Sequence, residues 1–110
     1  MLTYCVQFKY TKDALMAIID QQQDRKAAAA ALCESVGGNL VGMWGAMGQE
    51  DYHQFAVIEV PNDVAYMAAY MKLMKSGAFE SLRTIKCYTT AQVAEAASNV
   101  AGIDYTPATG

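Results

Sequence analysis

The sequence predicts an α+β domain: a four-stranded antiparallel sheet in the order β-α-β-β-α-β, followed by one more helix. Three observations predict it. Four short segments carry strand patterning, and helix-patterned stretches join the first to the second and the third to the fourth. The single short connection lies between the middle two, as a hairpin requires. Of the 110 residues, 54% are apolar and only 17% charged, too few charges for a small monomer to cover its own surface. Association with further copies is therefore expected.

Residues 3–10 (TYCVQFKY) alternate strictly, with Tyr4, Val6, Phe8 and Tyr10 on one side and Cys5, Gln7 and Lys9 on the other. Thr11 is placed to cap a helix, with Asp13 favourable in its first turn. Ala14, Leu15, Ile18 and Ile19 form the apolar stripe of that helix. The polar run Asp20-Gln21-Gln22-Gln23-Asp24 interrupts it. Residues 25–36 are alanine-rich and strongly helix-forming, and Gly37-Gly38 ends them.

Residues 39–47 (NLVGMWGAM) and 52–60 (YHQFAVIEV) are expected as a hairpin turning at Gly48-Gln49-Glu50-Asp51. Both strands are apolar at nearly every position, so both sheet faces are expected to be apolar. Helices cover one face; a second subunit is the simplest cover for the other. Pro61 closes the second strand, and Asn62 or Asp63 starts a helix over 64–75 with Met67, Met71 and Met74 on one side. Ser76-Gly77 ends it, residues 79–88 form the fourth strand, and Thr89 or Thr90 caps a last helix over 91–100. One domain over 1–100 and a flexible tail over 101–110 are expected. The order is the ferredoxin-like split βαβ arrangement.

Charge and composition exclude several classes. The net charge is −3 and the basic residues do not cluster, so no nucleic-acid partner is expected. No apolar run reaches membrane-spanning length, and the start lacks a signal-peptide pattern; a cytoplasmic protein with no membrane partner is expected. Cys5, Cys33 and Cys87 match no zinc or redox spacing and read as buried thiols. There is no phosphate loop and no nucleophile elbow.

The order and spacing of several segments are more specific. They are Thr3-Tyr4; Arg25 with the alanine run; Glu34-Ser35-Val36-Gly37-Gly38 leading to Gly42-Met43-Trp44 and Met47-Gly48; Glu59-Val60-Pro61-Asn62-Asp63; and Tyr88-Thr89. On these the chain resembles the GYD-domain family over about residues 3–94. The resemblance implies a ferredoxin-like fold related in architecture to the dimeric α/β-barrel proteins. It gives no secure reaction and leaves the cofactor unknown. At the hairpin, similar proteins carry Gly, one residue, then Tyr-Asp. Here Gln49-Glu50-Asp51 separates Gly48 from Tyr52-His53, so the loop is two residues longer and His53 stands at the Asp position. In the other registration Asp51 takes that place.

His53, the only histidine, is the candidate acid/base or axial ligand, with Tyr52 beside it; a surface histidine at a hairpin end is the alternative. Glu50 and Asp51 could join it around a divalent ion, but the spacing fits no metal motif, and a solvated turn is the simpler reading. Tyr4, Tyr10, Trp44 and Phe55 are the aromatic candidates for a ligand pocket between sheet and helices, and Arg25 the candidate for a ligand carboxylate. Core packing and a structural ion pair are their respective alternatives. Three functions follow: a small-ligand binding or regulatory oligomer with its pocket near Tyr52 and His53; an enzyme using His53, which the resemblance to dimeric α/β-barrel proteins implies as a cofactor-independent oxygenase, an isomerase or a haem-handling enzyme; or a structural assembly protein.

Overall fold

A computed structural model describes all residues, 1–110. Strand β1 (Leu2–Tyr10) is followed by helices α1 (Lys12–Asp20) and α2 (Lys26–Ser35), the hairpin β2 (Asn39–Gly45) and β3 (Gln54–Val60), helix α3 (Asp63–Lys75), strand β4 (Phe79–Cys87) and helix α4 (Thr90–Ser98). A 3-10 turn, Val100–Gly102, comes last. The sheet order is β2-β3-β1-β4 with every neighbouring pair antiparallel, which is the ferredoxin-like α+β architecture.

The helix boundaries sit where the side-chain chemistry puts them. The Thr11 hydroxyl accepts from the Ala14 amide at 3.2 Å and starts α1. The glutamine run ends it, with Gln22 in the left-handed region at φ 52. Asn62 caps α3 by accepting from Ala65 N at 2.8 Å. Thr89 and Gln92 form a reciprocal capping box at the start of α4. Gly37, at φ 82, ends the turn after α2. Next to it, a Cβ on Gly38 would lie 2.2 Å from the Glu59 carbonyl oxygen, so only glycine lets β2 begin this close to β3.

The core follows the alternation of β1. Tyr4, Val6, Phe8 and Tyr10 are all buried, packed with Ala56, Ile58 and Val60 of β3 and Cys33 of α2. The hairpin is shorter than expected: β2 stops at Gly45 and β3 starts at Gln54, so Tyr52 and His53 belong to the loop. Strict alternation also fails in β2. A register shift between Leu40 and Gly42 turns both Leu40 and Met43 toward the helices, opposite Ile58 and Ala56, and leaves Gly42 and Trp44 on the far face.

That far face is mixed, where uniform apolarity was expected. Cys5, Val57 and Ile85 make an apolar band across three strands, continued by Phe55 and Trp44. Gln7 and Arg83 sit in the next row, and Thr3 and Glu59 in the row on the other side. The Trp44 indole lies back over Gly42, where a Cβ would meet it at 2.4 Å, and stacks on Phe55 with centroids 5.3 Å apart. No helix of the chain is long and apolar enough to cross a membrane.

Candidate functional site

Helices α2 and α3 lie over the same sheet face but apart, and the space between them is a cleft of about 260 Å³. Its floor is Val6, Phe8 and Tyr10 of β1 with Ala56 and Ile58 of β3. One wall is α2, through Ala28, Ala29, Leu32 and Cys33; the other is α3, through Tyr66, Ala69, Tyr70 and Leu73. Alanine at facing positions of both helices and of the floor is what leaves the space open. Phe79 closes one end, stacked on Tyr10 at 5.1 Å and edge-on to Phe8 at 5.9 Å.

The polar groups on this wall are few. Arg25 and Lys72 are its only charged residues, and no carboxylate lines it. Neither forms a salt bridge; the ion pairs of the molecule are Lys9–Glu80 and Lys86–Asp63. Arg25 donates from Nη1 to Gln23 Oε1 at 3.0 Å, a neutral partner that leaves its charge uncompensated. Burial raises the pKa of the Tyr10 phenol, with the nearby Arg25 charge acting the other way. Its hydroxyl donates to Gln54 Oε1 at 2.7 Å. Burial likewise raises the pKa of Tyr66, opposed by its hydrogen bond with Thr84, and that of the Cys33 thiol.

The structure separates the residues singled out in the sequence into four places. Tyr10 and Arg25 line the cleft together. Tyr4 shares their sheet face but sits beyond the cleft, stacked on Tyr66 at 4.4 Å and donating its hydroxyl to Asp63. That bond, together with burial, pushes its pKa up to about 12. Trp44 and Phe55 lie on the opposite face of the sheet, so the layer itself divides them from Tyr10 and Arg25. Tyr52 goes with them, edge-on to Phe55 at 6.3 Å.

His53 extends the sheet past the end of its strand. Its amide donates to Phe8 O at 2.8 Å, its carbonyl accepts from Ala46 N at 2.8 Å, and its Nδ1 accepts from Tyr10 N at 3.1 Å. Its ring lies parallel to Tyr10 with centroids 6.1 Å apart. One ring nitrogen is thus committed to the backbone of β1. No carboxylate is bonded to the other: Asp51 instead donates its amide to Gln49 Oε1. No three His, Cys, Asp or Glu side chains converge on a point that could hold a metal ion.

Residues 4–97 match the GYD domain. The chain belongs to the GYD-domain family. No curated protein matches it. Among solved structures, 5-chloro-2-hydroxyhydroquinone dehydrochlorinase (TftG) from Burkholderia phenoliruptrix AC1100, in complex with 2,5-dihydroxybenzoquinone, is similar to it. That similarity covers 82% of this chain and 97% of that one, at 16% identity and a TM-score of 0.47.

Several cleft residues of this GYD domain were not singled out in the sequence: Ala28, Ala29, Tyr66, Tyr70 and Lys72. A signal for them existed. Two helices that must cover one sheet but present alanine toward it cannot fill the space with side chains.

Proposed function

We propose that this protein is a small-molecule binding or regulatory module, whose cleft between α2 and α3 takes a compact, largely apolar molecule carrying an acidic group. One observation carries the reading: an apolar cleft of about 260 Å³ whose only charged wall groups are two cations without carboxylate partners. Burying apolar surface in such a cleft supplies affinity, and a few placed polar groups supply orientation. A carboxylate at the mouth would give Arg25 the anionic partner it lacks. Tyr70 lines the same wall, while the Tyr66 hydroxyl is engaged with Thr84. The pocket of this reading is centred on Tyr10 and Arg25, with Tyr52 and His53 outside its lining.

The reading includes a homo-oligomer paired through the open sheet face. The band Cys5, Val57, Ile85 and Trp44 supports it, being apolar surface that the chain does not cover itself. The enzymatic alternative through His53 draws no support from the geometry, because one of its nitrogens is bonded to the backbone and no carboxylate orients the other.

The test is thermal denaturation of the purified protein with a series of small aryl and alkyl carboxylic acids, each beside its neutral amide. At a hundred times its Kd a ligand adds about 2.7 kcal/mol, a rise in Tm of roughly 10 °C for a domain of this size. The acids should stabilise more than the amides. Lys72→Gln and Arg25→Gln should erase that difference, and Ala29→Leu, which fills the cleft, should abolish both effects. Acids and amides that shift Tm equally, or a response that survives Ala29→Leu, would reject the reading.

A further inference from the structure

The C-terminal part of the chain does not behave as part of its own body. Every residue from 88 to 110 is exposed. Helix α4 makes its extended contact with the 3-10 turn that follows it and none with any other strand or helix. Yet it is a well-made helix, started by a capping box and nine residues long. A helix of that length is marginal in water when nothing packs against it, since most helical stability in proteins comes from a buried face.

Such a face is present. Val93, Ala96, Ala97 and Val100 recur at i, i+3, i+4 and i+7, one continuous stripe along α4 and the turn. Ile103 and Tyr105 follow it in the chain. Val93, Val100, Ile103 and Tyr105 are 61%, 64%, 67% and 82% exposed. The polar residue Glu95 points away from the stripe by helical geometry.

The area agrees. A folded monomer of this mass, 11.9 kDa, should expose about 5,900 Å². This chain exposes 7606 Å², an excess of roughly 1,700 Å², about twice what each partner of a standard interface buries. Its radius of gyration, 17.6 Å, likewise exceeds the roughly 13 Å of a compact domain of this length.

We propose that residues 90–105 form an arm that docks its apolar stripe on a second copy of this chain, each copy receiving the arm of the other in a two-fold exchange. The excess area is of dimer size, and reciprocal exchange leaves no arm unpaired. The proposal is independent of the ligand reading, and nothing in its test depends on a ligand.

The test uses the full chain. Amide hydrogen exchange is followed above and below the concentration at which sedimentation shows association. The α4 amides should be protected at least tenfold in the associated state and exchange near the intrinsic rate after dissociation, while β1 and β3 stay protected in both. Val93→Asp, at a site 61% exposed, should leave the sheet amides unchanged and weaken association roughly ten- to a hundredfold. Glu95→Ala, off the stripe, should leave association as it is. Three results would each overturn the proposal: a wild-type chain monomeric throughout, an associated state whose α4 amides exchange freely, or undiminished association of Val93→Asp.

Discussion

The helix-covered face of the sheet and its open face are made from alternate residues of the same four strands, yet they have different tasks. On the covered face, Tyr4, Val6, Phe8 and Tyr10 are buried one after another, and the remaining space is a cleft lined by alanine. On the open face the corresponding residues of β1 are Thr3, Cys5, Gln7 and Lys9, none of them fully buried. The comparison shows that apolar content and burial are separate quantities here. The open face has aromatic and aliphatic side chains, but its rows alternate with Gln7, Arg83 and Glu59. A surface of that kind suits contact with another protein surface better than it suits a sealed core, because interface rims are polar while their centres are not.

The comparison breaks first, and by the largest amount, at Phe8. It is 7% exposed and packs edge-on against both Tyr10 and Phe79. Phe8→Ala should lower the unfolding free energy by about 3 kcal/mol, the lower end for a buried Phe because the hole joins an existing cleft. Urea denaturation measures it through a lower midpoint with an unchanged slope. A cost below about 1 kcal/mol would show that the covered face is no more of a core than the open one.

A smaller effect is expected at Tyr4, with a dependence on pH. Its hydrogen bond to Asp63 and its burial favour the protonated phenol in the folded state, raising its pKa from 10.0 to about 12. The folded state then binds this proton more tightly than the unfolded one. The stabilisation is complete below pH 10 and is lost as pH rises toward 12. Tyr4→Phe should cost about 1 kcal/mol near neutral pH. It should also flatten the fall in stability between pH 10 and 12, read from urea midpoints across that range. An unchanged alkaline slope would mean that other tyrosines set it.

The covered face was largely legible in the sequence, and the cleft and the open face were less so. The strict alternation of residues 3–10 fixes which side chains of β1 go inward, and Thr11, Asn62 and Thr89 mark helix starts through side-chain chemistry that acts within three residues. Such local signals need no knowledge of the rest of the fold. The bulge at Val41 is different. It depends on how β2 lies against β3, and it reverses the side to which Met43 and Trp44 point relative to Leu40. Tyr52 and His53 read as strand residues because aromatic character continues ahead of β3; His53 carries the pairing one residue further, while Tyr52 lies in the loop. Aromatic type marks Trp44, Phe55 and Tyr10 alike, yet Trp44 and Phe55 stand across a layer that separates them from Tyr10 and Arg25. A pocket between sheet and helices is legible from the aromatic strand residues, but its alanine walls are not, because a missing side chain carries no local pattern.

The smallest effect on the single chain, and the one that sharpens the comparison most, belongs to Ile85. It lies at the edge-strand end of the open-face band, beside Cys5, and is 43% exposed. Ile85→Ala removes surface already half in water, so the isolated chain should lose only about 0.5 kcal/mol. If copies pair through this face, the same substitution removes a side chain buried on assembly, and association should weaken by roughly tenfold. Urea unfolding under dissociating dilution and sedimentation at higher concentration read the two quantities separately. A loss confined to association would mark this face as a contact surface. A large loss in the dilute chain with association intact would make Ile85 a core residue and leave the open face without a partner.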